Sequence, residues 1–184
     1  DELKKFINTY SLPVIVKAAS GGGGKGMRII FNLNELDKAI SASKLEAKKA
    51  FDDDTVYIEK FLINPKHIEI QILADSHGNV ISLGERDCSI QYKHQKLIEE
   101  CPSTILTQKE RDYISSLCIK AIQSIGYEGV GTFEFLYEDG NFYFMEMNTR
   151  LQVEHPVTEM VTQMDLVKQQ ILAAYGEKLV IKQN

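Results

Sequence analysis

Two apolar segments, residues 130–137 and 141–147, meet at Asp139-Gly140, and each carries one glutamate. This feature most limits how the chain can fold. Asp-Gly between aromatic and β-branched runs is a hairpin signal, so it predicts two adjacent antiparallel strands. Thr132-Phe-Glu-Phe135 and Phe144-Met-Glu-Met-Asn148 then place Glu134 and Glu146 in otherwise apolar strands. A buried carboxylate is costly unless it is paired or holds a cation. The turn decides whether the two can cooperate. A two-residue turn pairs Glu134 with Met145 and sends Glu146 to the opposite face. A three-residue turn, with Gly140 left-handed, pairs Glu134 with Phe144. It puts Glu134, Glu146 and Asn148 on one face, the glutamates diagonal at about 7–8 Å. Such a face could clamp Mg²⁺, which prefers hard oxygen ligands. The competing reading is a solvated sheet face.

The rest of the chain reads as α+β. Residues 2–9 form a short amphipathic helix, 12–18 a strand and 27–31 a second strand. A helix capped at Asn32 or Asn34 runs to about Phe51, with Leu36, Ile40, Ala47 and Phe51 on one face. A third strand covers 55–62. Asn64-Pro65 is the expected joint, so a small unit, residues 1–61, precedes a larger one, residues 62–184. In the second unit Ile68, Ile70 and Ile72 alternate with His67, Glu69 and Gln71, and a turn at His77-Gly78-Asn79 leads to a partner strand over 80–83. Residues 84–104 show no clean period and many polar groups, as functional or disordered segments do. Thr107-Gln-Lys-Glu110 is a capping box. It opens a helix with Ile114, Leu117, Ala121, Ile122 and Ile125 inward, ended by Gly126. One last helix runs from His155-Pro156 to near Gly176.

Three polar strings carry candidate chemistry. Ser20-Gly-Gly-Gly-Gly-Lys-Gly26 lets a backbone approach an anion closely. It is not a Walker loop, because Met27 stands where Ser or Thr is required and a strand follows instead of a helix. A strand, glycine loop, strand order is closer to a flap over nucleotide phosphates, with Lys17 at its base. Asn148, Arg150, Gln152 and Glu154 alternate and project to one side when extended. They offer an amide, a guanidinium fork suited to a planar anion, and a carboxylate base. The Arg86-Asp-Cys-Ser89 and Gln91-Tyr-Lys-His94-Gln-Lys96 strings could meet a nucleotide. The blander readings are a mobile hairpin, an ion-paired strand edge and an exposed loop.

The net charge of −5 over 184 residues argues against a general nucleic-acid surface. No run reaches the roughly 20 apolar residues of a membrane helix. Cys88, Cys101 and Cys118 are odd in number and form no C-x-x-C, which fits a reducing compartment better than a disulfide framework.

Together, Val16-Lys-Ala-Ala-Ser-Gly-Gly-Gly-Gly-Lys-Gly-Met-Arg28, Tyr57-Ile-Glu-Lys-Phe-Leu62, Glu85-Arg-Asp-Cys-Ser-Ile-Gln91, His94-Gln-Lys96, Gly131-Thr-Phe-Glu-Phe135 and residues 146–159 (EMNTRLQVEHPVTE) resemble the biotin carboxylase family of the ATP-grasp superfamily. The resemblance covers nearly the whole chain. It implies an ATP-grasp fold: a small α+β lid with the glycine loop, then an antiparallel-sheet α+β core. It also implies roles. Lys17, Gly23 and Gly24 would hold ATP phosphates, Met27 would pack on adenine, and Leu136 would be a further ATP-binding residue. Glu59, Lys60, Phe61 and Leu62 would be the hinge that reads its edge, and His67, Gln91 and His94 the ribose and phosphate contacts. Glu134, Glu146 and Asn148 match ligands of Mg²⁺ or Mn²⁺. Lys96, Arg150, Gln152 and the Val153 backbone would hold bicarbonate, with Glu154 as its base. The implied reaction makes carboxyphosphate from ATP and bicarbonate, then carboxylates carrier-bound biotin.

Implied partners are a biotin carboxyl carrier, a carboxyltransferase and further copies of the enzyme in a homo-oligomer, in the cytoplasm or an organelle matrix. The family's N-terminal Rossmann-like domain and its C-terminal biotin-contacting arginine have no counterpart in these 184 residues. The chain is therefore expected to be a fragment, poor or inactive alone in carboxylating biotin. Ala19-Ser20 stands where many members have Ser-Gly. The remaining alternatives are another ATP-grasp ligase, such as a carbamoyl-phosphate synthetase domain, and a nucleotide-binding fragment without catalysis.

Overall fold

A computed structural model describes residues 2–20, 27–93 and 95–179. The chain divides into two compact units, residues 1–64 and 65–184. In the first, α1 (Glu2–Tyr10) leads to β1 (Val14–Ala18), β2 (Arg28–Ile30), a 3-10 turn (Leu33–Glu35), α2 (Leu36–Phe51) and β3 (Val56–Lys60). The strands form an antiparallel sheet in the order β2-β1-β3. The strict alternation of β1 sends Val14, Val16 and Ala18 inward. Val14, Val16 and Ile30 pack with Ile7 and Leu36, and Ala39, Ile40, Val56 and Ile58 close the cluster. Asn32 caps the 3-10 turn through Asn34 N, and Asp52 ends α2 in a left-handed conformation.

The second unit is built on β4 (Lys66–Ala74), β5 (Val80–Tyr92), β6 (Gln95–Glu100), β7 (Gly129–Glu138) and β8 (Asn141–Asn148). They form one antiparallel sheet in the order β6-β5-β4-β7-β8. Helix α3 (Gln108–Ile125) covers one face through Ile114, Cys118 and Ile122, packed on Ile68, Ile70, Ile72, Phe133 and Phe135. Leu117, Ala121 and Ile125, expected inward, are exposed, because the buried stripe follows i, i+4, i+8 from Ile114 through Cys118. The capping box is formed: Glu110 N donates to Thr107 Oγ1, and Thr107 N to Glu110 Oε2 at 2.8 Å. On the opposite face α4 (His155–Thr162) and α5 (Leu166–Ala174) replace the single helix expected there. Gln163 turns left-handed, and Asp165 and Glu159 accept the first amides of α5. Leu166 packs on Leu73, Ile81 and Val130.

Residues 84–104 are mostly strand, not loop. β5 runs on to Tyr92 and pairs with β6, with register shifts between Asp87 and Gln91. Those irregularities erase the two-residue period, and Glu85, Arg86 and Asp87 are buried polar groups, so hydrophobicity does not mark the strand.

Candidate functional site

Along β4 the positions facing away from α3 are His67, Glu69, Gln71 and Leu73. That face is apolar at the Leu73 end, under α5, and polar at the other. Register carries the polar end across the sheet: Arg86 pairs with Glu69, Glu69 with Glu134, and Glu134 with Glu146. The hairpin reaches this arrangement by a third route. Asp139 and Gly140 both have positive φ, and Glu138 pairs with Asn141, so the turn has two residues. A bulge at Met145 then inserts one residue, leaving Phe144 opposite Phe135 and Glu146 opposite Glu134. The expected Glu134–Met145 and Glu134–Phe144 pairings are both replaced. The carboxylates are direct neighbours, not diagonal ones. Edge-to-face packing of Phe135 on Phe144, 5.9 Å between ring centres, holds the core side of the bulge.

A cavity of about 660 Å³ opens over this row. Among its lining are His67, Gln91, Lys96, Glu134, Leu136, Glu146, Asn148, Arg150, Gln152, Val153 and Glu154. Lys96 Nζ donates to Glu69, to Glu134 at 3.1 Å and to Glu154 at 2.7 Å. Those carboxylates push its pKa up although burial alone would lower it. Burial likewise works against ionised Glu134, but His67 Nε2 at 2.7 Å and the Lys96 charge bring its pKa down to about 2. Asn148 Nδ2 and Gln152 Nε2 each donate to Glu134 Oε1 at 2.7 Å. For Glu154 burial raises the pKa, and the Lys96 hydrogen bond more than offsets it, so the group lies below the usual range. Gln91 Nε2 donates both to the Cys88 carbonyl and to His67 Nδ1, each at 2.8 Å. A carbonyl only accepts, so the amide orientation is set. His67 then accepts at Nδ1 and carries its proton on Nε2, toward Glu134.

The two hairpin glutamates are therefore in different states. Glu134 is buried and surrounded by nitrogen donors. Glu146 is exposed and has no hydrogen bond or ion pair among the described residues. Glu146, Glu134 and the Asn148 amide oxygen are hard oxygen donors at adjacent positions, and they fit a divalent cation. Arg150, exposed at the rim, donates to Asn148 Oδ1 at 3.3 Å. Glu69, Glu134, Glu146 and Glu154 outnumber Arg86, Lys96 and Arg150 around the cavity. A polyphosphate would have to enter with its own counter-cations.

In the first unit Lys17 and Glu59 lie on the same face of β1 and β3 and form an ion pair. Met27 is exposed, and Phe61 packs edge-on against Phe31 at 6.4 Å. The Phe61 amide already donates to the Pro13 carbonyl at 3.1 Å. Lys60 ends β3, and Phe61 and Leu62 follow it. Gly23, Gly24 and His94 lie outside the described residues. Sequence reasoning missed Glu69 and placed Arg86 only in a polar string. The available signal was Glu69 and Gln71 alternating with three isoleucines in a strand with buried neighbours on both sides.

The two antiparallel sheets with their helices have the ATP-grasp fold, shared with solved biotin carboxylase domains. The chain belongs to the family described as carbamoyl-phosphate synthase L chain, ATP binding domain, whose model matches residues 1–182. Among curated relatives it is 54% identical over 180 residues to biotin carboxylase of Haemophilus influenzae, covering 98% of this chain and 40% of that protein. Among solved structures, the biotin carboxylase domain of a thermophilic 2-oxoglutarate carboxylase bound to bicarbonate superposes with a TM-score of 0.90. It is 48% identical, over 98% of this chain and 39% of that one. The biotin carboxylase domain dimer of Hydrogenobacter thermophilus 2-oxoglutarate carboxylase, in complex with MgADP, ADP and bicarbonate, gives 0.76 at 52% identity, over 99% and 40%. The chain thus spans about 40% of the length of the proteins it matches. Among the described residues, no helix is long and apolar enough to cross a membrane.

Proposed function

We propose that this chain is the ATP-grasp portion of a biotin carboxylase, residues 1–61 acting as the lid and 62–184 as the core. The observation that supports this most is the gathering of Lys96, Arg150, Gln152 and Glu154 around the Glu134–Glu146 pair in one cavity. Lys96 and Arg150 supply positive charge and a fork for bicarbonate, and the Gln152 amide and Val153 backbone orient it. Glu154, ionised at neutral pH, takes the bicarbonate proton once Lys96 shifts toward the anion. One bicarbonate oxygen then bonds to the γ-phosphorus as the bond to ADP breaks, giving carboxyphosphate. The carboxyl carbon then bonds to N1 of biotin on a carrier domain as its bond to the phosphate oxygen breaks; the N1 proton passes to the departing phosphate, which keeps that oxygen. Glu134, Glu146 and Asn148 would hold Mg²⁺ or Mn²⁺, which when bound would supply neutralisation of phosphate charge. Lys17, Gly23, Gly24, His67, Gln91 and His94 hold phosphates and ribose, and Met27, Leu136 and residues 59–62 the base.

The proteins that carry the matched domains support a carrier, a carboxyltransferase and a dimer as partners, and a cytoplasmic or organelle-matrix setting. The test is isotopic. In a full-length biotin carboxylase whose matching segment is replaced by residues 1–184, phosphate released from ATP with ¹⁸O-bicarbonate should carry ¹⁸O and should depend on biotin. Label without biotin dependence would favour a carbamoyl-phosphate type of ligase. Unlabelled phosphate would contradict both.

A further inference from the structure

Arg86 is fully buried beneath the site and touches neither the cavity nor solvent. Its guanidinium joins four elements. Nε and Nη2 donate to Glu69 Oε2 at 3.2 and 3.0 Å, and Nη1 donates to Gln71 Oε1 at 2.7 Å and Thr158 Oγ1 at 2.9 Å. Nη2 also reaches Gln152 Oε1 at 3.0 Å and Thr132 Oγ1 at 3.5 Å. A guanidinium only donates. It therefore forces the oxygen of Gln152 inward, which leaves Gln152 Nε2 directed at Glu134 Oε1, 2.7 Å away. With Glu69 the same rule acts on a carboxylate. Two Arg86 donors on Oε2 fix its plane, and Oε1 is turned toward Lys96.

We infer that Arg86 is a positioning residue that sets both Gln152 and, through Glu69, Lys96. These are two of the groups assigned above to bicarbonate, and the inference rests on that assignment for its catalytic consequence. Arginine is needed because no other side chain offers five donors in a fixed plane; lysine supplies the charge but not the fork. Loss of the fork would let the Gln152 amide rotate and the Glu69 carboxylate swing, displacing the anion contacts while the nucleotide contacts of the first unit stay in place.

The test combines two readouts on Arg86→Lys and Thr158→Val. The first is the side-chain amide of Gln152, observed by NMR and assigned by its loss in Gln152→Ala. It should be exchange-protected in the parent protein and lose protection in Arg86→Lys. The second is ATP cleavage as a function of bicarbonate and of Mg-ATP, in a full-length biotin carboxylase whose matching segment is replaced by residues 1–184. Half-saturation by bicarbonate should rise about tenfold, as for other residues that orient contacting groups, while that for Mg-ATP moves less than about twofold. Thr158→Val, which removes one acceptor far from any ligand, should shift both readouts in the same direction by less, and it decides the matter if Arg86→Lys fails to fold. A Gln152 amide unchanged in the folded variants would overturn the inference. So would a lowered melting temperature with both half-saturations unmoved. If that protein without the substitutions shows no bicarbonate-stimulated cleavage, the proposed function fails, and the amide readout still judges the positioning role.

Discussion

Lys96 and Glu146 show how the same type of site residue can be bound to the fold by very different ties. Lys96 neutralises parts of three buried or nearly buried carboxylates. Lys96→Met is therefore expected to cost about 3–5 kcal/mol at neutral pH, the scale for breaking a buried ion pair by removing one partner. Chemical unfolding checks this, and the loss should shrink as pH falls and the carboxylates protonate. Glu146 is exposed and unpartnered among the described residues. Glu146→Gln should change stability by less than about 0.5 kcal/mol, yet weaken Mg-ATP binding in a calorimetric titration. The hairpin glutamates were legible in the sequence as residues, since a carboxylate in an apolar strand stands out. Their unequal states were not. Those depend on His67, Lys96, Asn148 and Gln152, which approach Glu134 from three other strands and a loop.

Helix α3 and the β7–β8 hairpin mark what the sequence can and cannot say at the level of elements. The capping box was readable because its parts lie three residues apart, and Thr107→Ala should destabilise the protein by about 1 kcal/mol in thermal or urea unfolding. The hairpin bulge was not readable, because nothing local distinguishes Met145 from a regular strand residue. Only the match of Phe144 with Phe135, and of Glu146 with Glu134, selects it. Strand β5 outruns residues 80–83, the stretch its pattern marks, for a related reason. Its buried face carries Arg86, so its hydrophobic pattern ends where its backbone pairing does not. The break between α4 and α5 was lost because the apolar spacing continues across it, while Gln163 and the Asp165 cap set the actual boundary.

For the whole chain, two carboxylates tie acid stability to the second unit. Asp75 resists ionisation through burial, yet hydrogen bonds from Asn79, Leu179 and His77 draw its pKa down to about 2. Glu134 also lies at about 2. A folded-state pKa below the unfolded value means stability that is present above the unfolded pKa and lost as pH falls through the folded one. Stability should thus decline between about pH 4 and pH 2, and Asp75→Asn should flatten that limb in pH-dependent melting. Fold class was legible because the hairpin, the glycine string and the alternating strands agree with one another. The paired buried charges were not, because they exist only once four strands are in register. The proposed function stands on Mg-ATP binding that needs Lys17 and Glu146. The most direct test is calorimetric titration of Mg-ATP into the folded chain beside Lys17→Ala and Glu146→Gln. Saturable binding that both substitutions weaken is the expected result; no binding, or binding indifferent to both, would overturn the Mg-ATP assignment.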